Sequence, residues 1–128
     1  MLRFDDFAPG TGFGAAELTL DATDFANWCA VFPDDATLWP RMPAGMTSVV
    51  IMRAYMALIA PRPSGNVHGA QATTLHRLPL MGEPLHTRLS CTGKELKRDR
   101  SWVDFASETF DGTGASLFNG RMRILWAA

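Results

Sequence analysis

Apolar positions follow two different periods along the chain, and the change between them divides it. A short run at Gly14–Leu20 reads as a first strand. Asp21 or Thr23 then caps a helix through Asp24–Val31, in which Phe25, Trp28, Cys29 and Phe32 fall at i, i+3, i+4 and i+7 and so share one face. Pro33 ends it, and the proline-rich stretch to Gly45 reads as a loop. Thr47 or Ser48 caps a second helix that runs to about Ile59 and is stopped by Pro61 and Pro63. Its apolar residues, Val49 to Ile59, lie nearly all the way round, so this helix is expected to be surrounded by protein.

From Val67 onward the period becomes two. Leu85, Thr87, Leu89 and Cys91 alternate with His86, Arg88, Ser90 and Thr92, and Val103, Phe105 and Ser107 with Trp102, Asp104 and Ala106. Asp111-Gly112-Thr113-Gly114 is the strongest turn signal. It leads into a last strand with Phe118, Met122, Ile124 and Trp126 on one face and Asn119, Arg121 and Arg123 on the other. Helices early and strands late predict an α+β fold, an antiparallel sheet of about five strands around one central helix.

Composition narrows the functions. With 128 residues the chain is expected to form a single domain that buries about two thirds of its unfolded surface. A formal net charge of −1 gives no bulk field for a nucleic acid backbone or an anionic membrane. The longest apolar stretch, Met46 to Ala60, is shorter than the roughly 20 residues that span a bilayer and is interrupted by Arg53. Cys29 and Cys91 lack metal-site spacing and read as free thiols in a reducing compartment, so a cytoplasmic protein without a bound metal is expected.

Several residues carry candidate chemistry. Asp34 and Asp35 form a solvated turn or supply a general base. Arg53, on a helix expected to be buried, needs a partner, and Asp104 or Glu108 is the candidate. His76 and His86 read as exposed sheet-edge residues and His68 as a strand-end histidine. Lys94, Lys97, Arg98 and Arg100 are the one basic cluster, on a strand turn.

Four segments in order resemble one family. They are Phe4-Asp5-Asp6-Phe7-Ala8-Pro9-Gly10, Thr23-Asp24-Phe25-Ala26-Asn27-Trp28, Ala44-Gly45-Met46, and His76 to Leu85 with its Pro-x-x-Gly-Glu core. Together they resemble the MaoC-like branch of hot-dog proteins, the (R)-specific enoyl-CoA hydratases and related acyl dehydratases, over nearly the whole chain. The resemblance implies a hot-dog fold, an acyl-CoA or acyl-carrier thioester as ligand, no cofactor, and a homodimer or a heterodimer with a second hot-dog subunit.

The resemblance breaks at the catalytic motif, which in the family is Gly-Asp, one residue, Asn-Pro, one residue, His. Here the corresponding stretch is Phe32-Pro33-Asp34-Asp35-Ala36-Thr37-Leu38-Trp39-Pro40-Arg41. Asp35, or Asp34, stands for the aspartate, and no histidine follows until His68. Hydration of an enoyl thioester needs a base for water and an acid for C2, each positioned transfer being worth about 10²–10⁴-fold. It also needs donors at the thioester carbonyl, which backbone N–H groups around Gly45-Met46-Thr47 would supply at the start of the central helix.

Trp28, Trp39, Phe32 and Met42 then line an acyl tunnel or belong to the core, the basic cluster forms a solvated hairpin or holds a CoA phosphate, and Arg53 forms its ion pair or holds such a phosphate. The family includes paired hot dogs in which one half lacks the signature. The expected role is therefore a non-catalytic hydratase subunit, with a hot-dog thioesterase and a ligand-binding protein without chemistry as alternatives.

Overall fold

A computed structural model describes residues 1–128. The order is β1 (Gly12–Leu18), α1 (Ala22–Val31), α2 (Thr47–Leu58), β2 (Val67–Leu75), β3 (Leu85–Lys97), β4 (Arg100–Phe110) and β5 (Ser116–Trp126). All strand pairs are antiparallel, in the order β1-β3-β4-β5-β2. The expected α+β architecture of five strands and a central helix is the one observed.

Period-two alternation sets which face of the sheet meets α2. Leu85, Thr87, Leu89 and Cys91 on β3, Val103, Phe105, Ser107 and Thr109 on β4, and Phe118, Met122, Ile124 and Trp126 on β5 are buried. Val50, Ile51, Ala54 and Tyr55 of α2 close over them. Phe105 sits at the centre, with edge contacts to Phe7 at 5.5 Å and to Tyr55 at 5.6 Å between ring centroids. Burial of each such side chain contributes roughly 1.5–3 kcal/mol. The Cys91 thiol lies in this layer, where desolvation raises its pKa and keeps it protonated.

Five expectations need correction. The N-cap of α2 is Met46, preceded by a 3-10 turn over Ala44–Met46, and the Thr47 hydroxyl donates back to the Ala44 carbonyl at 2.7 Å instead of capping. The helix is not surrounded by protein within this chain, since Arg53, Met56 and Ala57 face outward and Met56 is 54% exposed. Arg53 pairs with Asp24 at 2.9 Å, not with Asp104 or Glu108, and so ties α1 to α2 across the surface. The stretch after Pro33 is not simply a loop: Pro33–Leu38 forms a 3-10 turn, and Arg41 bridges Leu80. His86 lies on β3, between β1 and β4, and is half-buried, because the strand order places it inside the sheet and not at an edge.

The signals at the start of α1 and at the β4–β5 turn are those expected. Asp21 caps α1, its Oδ1 accepting from the Asp24 amide at 2.9 Å while Asp24 Oδ2 accepts from the Asp21 amide at 3.0 Å. Asp111 organises the β4–β5 turn, its Oδ1 accepting from the Thr113 hydroxyl at 2.6 Å and from the Thr113 and Ala115 amides. Its other oxygen accepts from Arg77 at 2.9 Å, which pins the segment before β3 to that turn.

These donors, led by the Thr113 hydroxyl, draw the Asp111 carboxyl down from 3.8 to about 2. A carboxyl depressed on folding stabilises the fold above its unfolded pKa, and that contribution is lost as pH falls through the folded value. The urea midpoint is therefore expected to fall between about pH 4 and about pH 2, and D111N to flatten that part of the profile. An unchanged slope in the variant would remove Asp111 as its source.

Candidate functional site

The site region is built from the end of α1, the turn after it and the start of α2. Asp21 and Asp24 fix the first turn of α1, which places Trp28 on the side of that helix facing α2. Phe32 closes the helix, its amide donating to the Trp28 carbonyl at 2.9 Å. Pro33 cannot continue it. The following 3-10 turn brings Asp35 back towards α1, with its amide donating to the Phe32 carbonyl at 3.1 Å.

Asp35 and Trp28 thus meet. The indole Nε1 donates to Asp35 Oδ2 at 2.8 Å. The same ring stacks on Phe32, centroids 4.5 Å apart with an interplanar angle of 29°. Its six-membered ring lies against Gly45, where a Cβ would come to 2.7 Å of Trp28 Cζ2. One indole ring therefore bridges the Asp35 carboxylate and the start of the central helix.

The other expected site residues lie elsewhere. Asp34 is exposed, and the contact it makes is through its main-chain carbonyl, which accepts from Thr37 at 3.4 Å. Trp39 packs edge-on to Phe25, centroids 5.0 Å apart, and is 48% exposed. Met46 and Thr47 point into the core and are almost fully buried. Their amides are also used: Met46 N donates to the Pro43 carbonyl at 3.0 Å, and Thr47 N to the Ala44 and Gly45 carbonyls. Of the three donors expected here, Gly45 N alone has no partner among the turn and side-chain hydrogen bonds.

Two residues at this end of α2 were not singled out as site residues. Ser48 Oγ accepts from Gln71 Nε2 at 3.4 Å, which joins the helix start to β2. The signal in the sequence is a long polar residue, Gln71, at an inward register position of a strand, opposite Met122.

No histidine reaches Asp35. His68 lines a groove with Met52, Tyr55, Met56 and Arg62 near the other end of α2. His76 faces Asn119 at 3.4 Å beyond the end of β2, and His86 lies beside Arg88 and Phe110 on the outer side of the sheet. Five clefts of the chain also leave Asp35, Trp28 and Gly45 out of their linings. Around them Val31, Phe32 and Leu38 expose apolar surface, Val31 to 70%. No group of three or more His, Cys, Asp or Glu side chains is placed to hold a metal ion. No helix is long and apolar enough to cross a membrane.

No family model and no curated protein matches this sequence. Solved structures do match the fold. An unliganded R-hydratase, PhaJ1, from Pseudomonas aeruginosa superposes with a TM-score of 0.73 at 21% identity over 96% of this chain and 84% of that one. A MaoC-like dehydratase from Rhodospirillum rubrum gives 0.77 at 15% identity, covering 100% and 99%. The HadBC (3R-hydroxyacyl-ACP dehydratase) complex of Mycobacterium tuberculosis gives 0.70 at 10% identity, covering 86% and 90%. The fold is the hot-dog fold, and its structural neighbours include MaoC-like dehydratases and (R)-hydratases.

The contact between Gly45 and Trp28 is testable through stability. G45A is expected to cost about 1–3 kcal/mol in urea unfolding, as overpacking does. In a W28L background, which removes the ring, the same change is expected to cost much less. Equal penalties in the two backgrounds would show that the ring does not rest on Gly45.

Proposed function

We propose that this chain is an acyl-thioester-binding hot-dog subunit, related to the enoyl-CoA hydratases and dehydratases, that acts as the non-catalytic half of a site shared with a second hot-dog subunit. The observation that carries this reading is a carboxylate, Asp35, fixed by Trp28 beside the start of α2 with no imidazole of the chain within reach.

The chemistry follows from what is present and what is missing. Addition of water across an enoyl thioester builds negative charge on the carbonyl oxygen, and the Gly45 amide at the positive end of α2 supplies a donor for it. Asp35, with one oxygen on the indole, keeps its other oxygen for a water or a partner's side chain. Delivery of a proton to C2 needs a second group, and the partner subunit would provide it. The exposed apolar rim of Val31, Phe32 and Leu38 is the surface such a subunit would cover. The ligand is a CoA or carrier-protein thioester, and the compartment is the cytoplasm.

One observation favours a second reading. A hot-dog thioesterase needs a carboxylate near the helix start to activate water on the carbonyl, and Asp35 lies one indole away from Gly45. In that case the purified chain releases free thiol from acyl-CoA and D35N abolishes the release.

Under the first reading, the purified chain alone does not hydrate crotonyl-CoA, followed by loss of the enoyl absorbance. An acyl thioester at a hundred times its Kd nonetheless raises the melting temperature by roughly 5–10 °C, because ligand binding to the native state alone contributes about 2.7 kcal/mol. Turnover by the chain alone at an ordinary enzymatic rate would overturn the non-catalytic role. No shift with any acyl length would overturn thioester binding altogether.

A further inference from the structure

The outer face of the sheet carries a second candidate site, built on the β3–β4 hairpin. Arg98 and Asp99 form its turn with φ of +51° and +62°, the left-handed conformation that two-residue hairpins demand and that Asn and Gly usually supply. Lys97, Arg98 and Arg100 therefore crowd one hairpin end, and none takes part in the chain's ion pairs. Arg123 lies over the Trp102 indole at 5.2 Å and pairs with Glu95, with Asp104 at 3.8 Å beyond.

The neighbouring strand is shaped to the same ring. The register of β2 on β5 slips between His68 and Ala70, and a Cβ on Gly69 would come to 2.7 Å of Trp102 Cζ3. Between the hairpin and this bulge lies a cleft of about 570 Å³ lined by Gly69, Lys97, Arg98, Arg100, Trp102 and Arg123, with Ala70. That volume suits a small organic ligand rather than a lone inorganic anion. Unpaired cations suit phosphate oxygens, and an indole suits a planar base, to which it offers a π surface.

We propose that this cleft binds a nucleotide, its phosphates held by Lys97, Arg98 and Arg100 and its base set against Trp102. The ligand is either a free nucleotide or the nucleotide head of a CoA thioester. The cleft is on the sheet face opposite α2, so the proposal does not depend on Asp35 or Gly45 binding a thioester.

Calorimetric titration with ATP, adenosine 3′,5′-bisphosphate, adenosine and inorganic phosphate tests it. A nucleotide is expected to bind at least about tenfold tighter than adenosine or phosphate alone. Equal binding of the two nucleotides points to a free nucleotide, and preference for the 3′,5′-bisphosphate to a CoA head. R98A/R100A is expected to lose about tenfold or more in affinity with its melting temperature unchanged, and W102F to lose severalfold. Binding of an acyl-pantetheine, which lacks the nucleotide, is expected to be the same in R98A/R100A and the parent, so failure of the thioester reading is seen separately. Absence of nucleotide binding at about 1 mM, affinity unaltered in R98A/R100A, or phosphate binding as tightly as a nucleotide would each overturn the proposal.

Discussion

How closely α2 can approach the sheet governs the rest of the molecule. At Gly120 on β5 a Cβ would come to 2.8 Å of Ile51 Cδ1 and 2.6 Å of Ser107 Oγ, so the helix rests on bare backbone there. Ser107 is small enough to lie beneath it, and its hydroxyl is buried without a partner. Leaving such a group unpaired costs about 1–3 kcal/mol. The contacts of Ile51, Tyr55 and Phe105 that the close approach permits offset that cost.

Once α2 is seated, its first turn has one position. Gly45 then meets Trp28 as Gly120 meets Ile51, by giving up a side chain where two elements must touch. Through the indole this packing contact reaches a carboxylate, and a structural need for proximity becomes a defined arrangement of Asp35 near a helix start. The same sheet has its other face free of helices, and there the hairpin cations and Trp102 form a separate concave surface. One layer of strands thus separates the two candidate sites.

Much of the fold was legible because it rests on local rules. Alternation in β3, β4 and β5 identified the buried face, since a strand with one wet side has to place its apolar residues two apart. Asp21 was legible as a cap and Asp111 as the opening of a turn, because their oxygens bond to amides within four residues. Thr47 misled for a related reason: its hydroxyl has two local uses, capping amides ahead or bonding a carbonyl behind, and the 3-10 turn over Ala44–Met46 selects the second. The partner of Arg53 is not legible because an all-round apolar pattern suggests burial, whereas α1 approaches from outside and presents Asp24 to it.

From sequence alone came the class of fold, the strand faces, the family likeness and the lack of a histidine in the catalytic stretch, all properties of residue type, order and spacing. Tertiary structure alone decided that Asp35 and not Asp34 meets Trp28, that the indole rests on Gly45, and that Met46 and Thr47 turn inward. It also decided that the hairpin cations share a cleft with Gly69 and Arg123, some thirty and twenty residues away along the chain. These are contacts between separate elements. They depend on the distance and angle at which helix and sheet pack, which no local pattern of apolar and polar residues encodes.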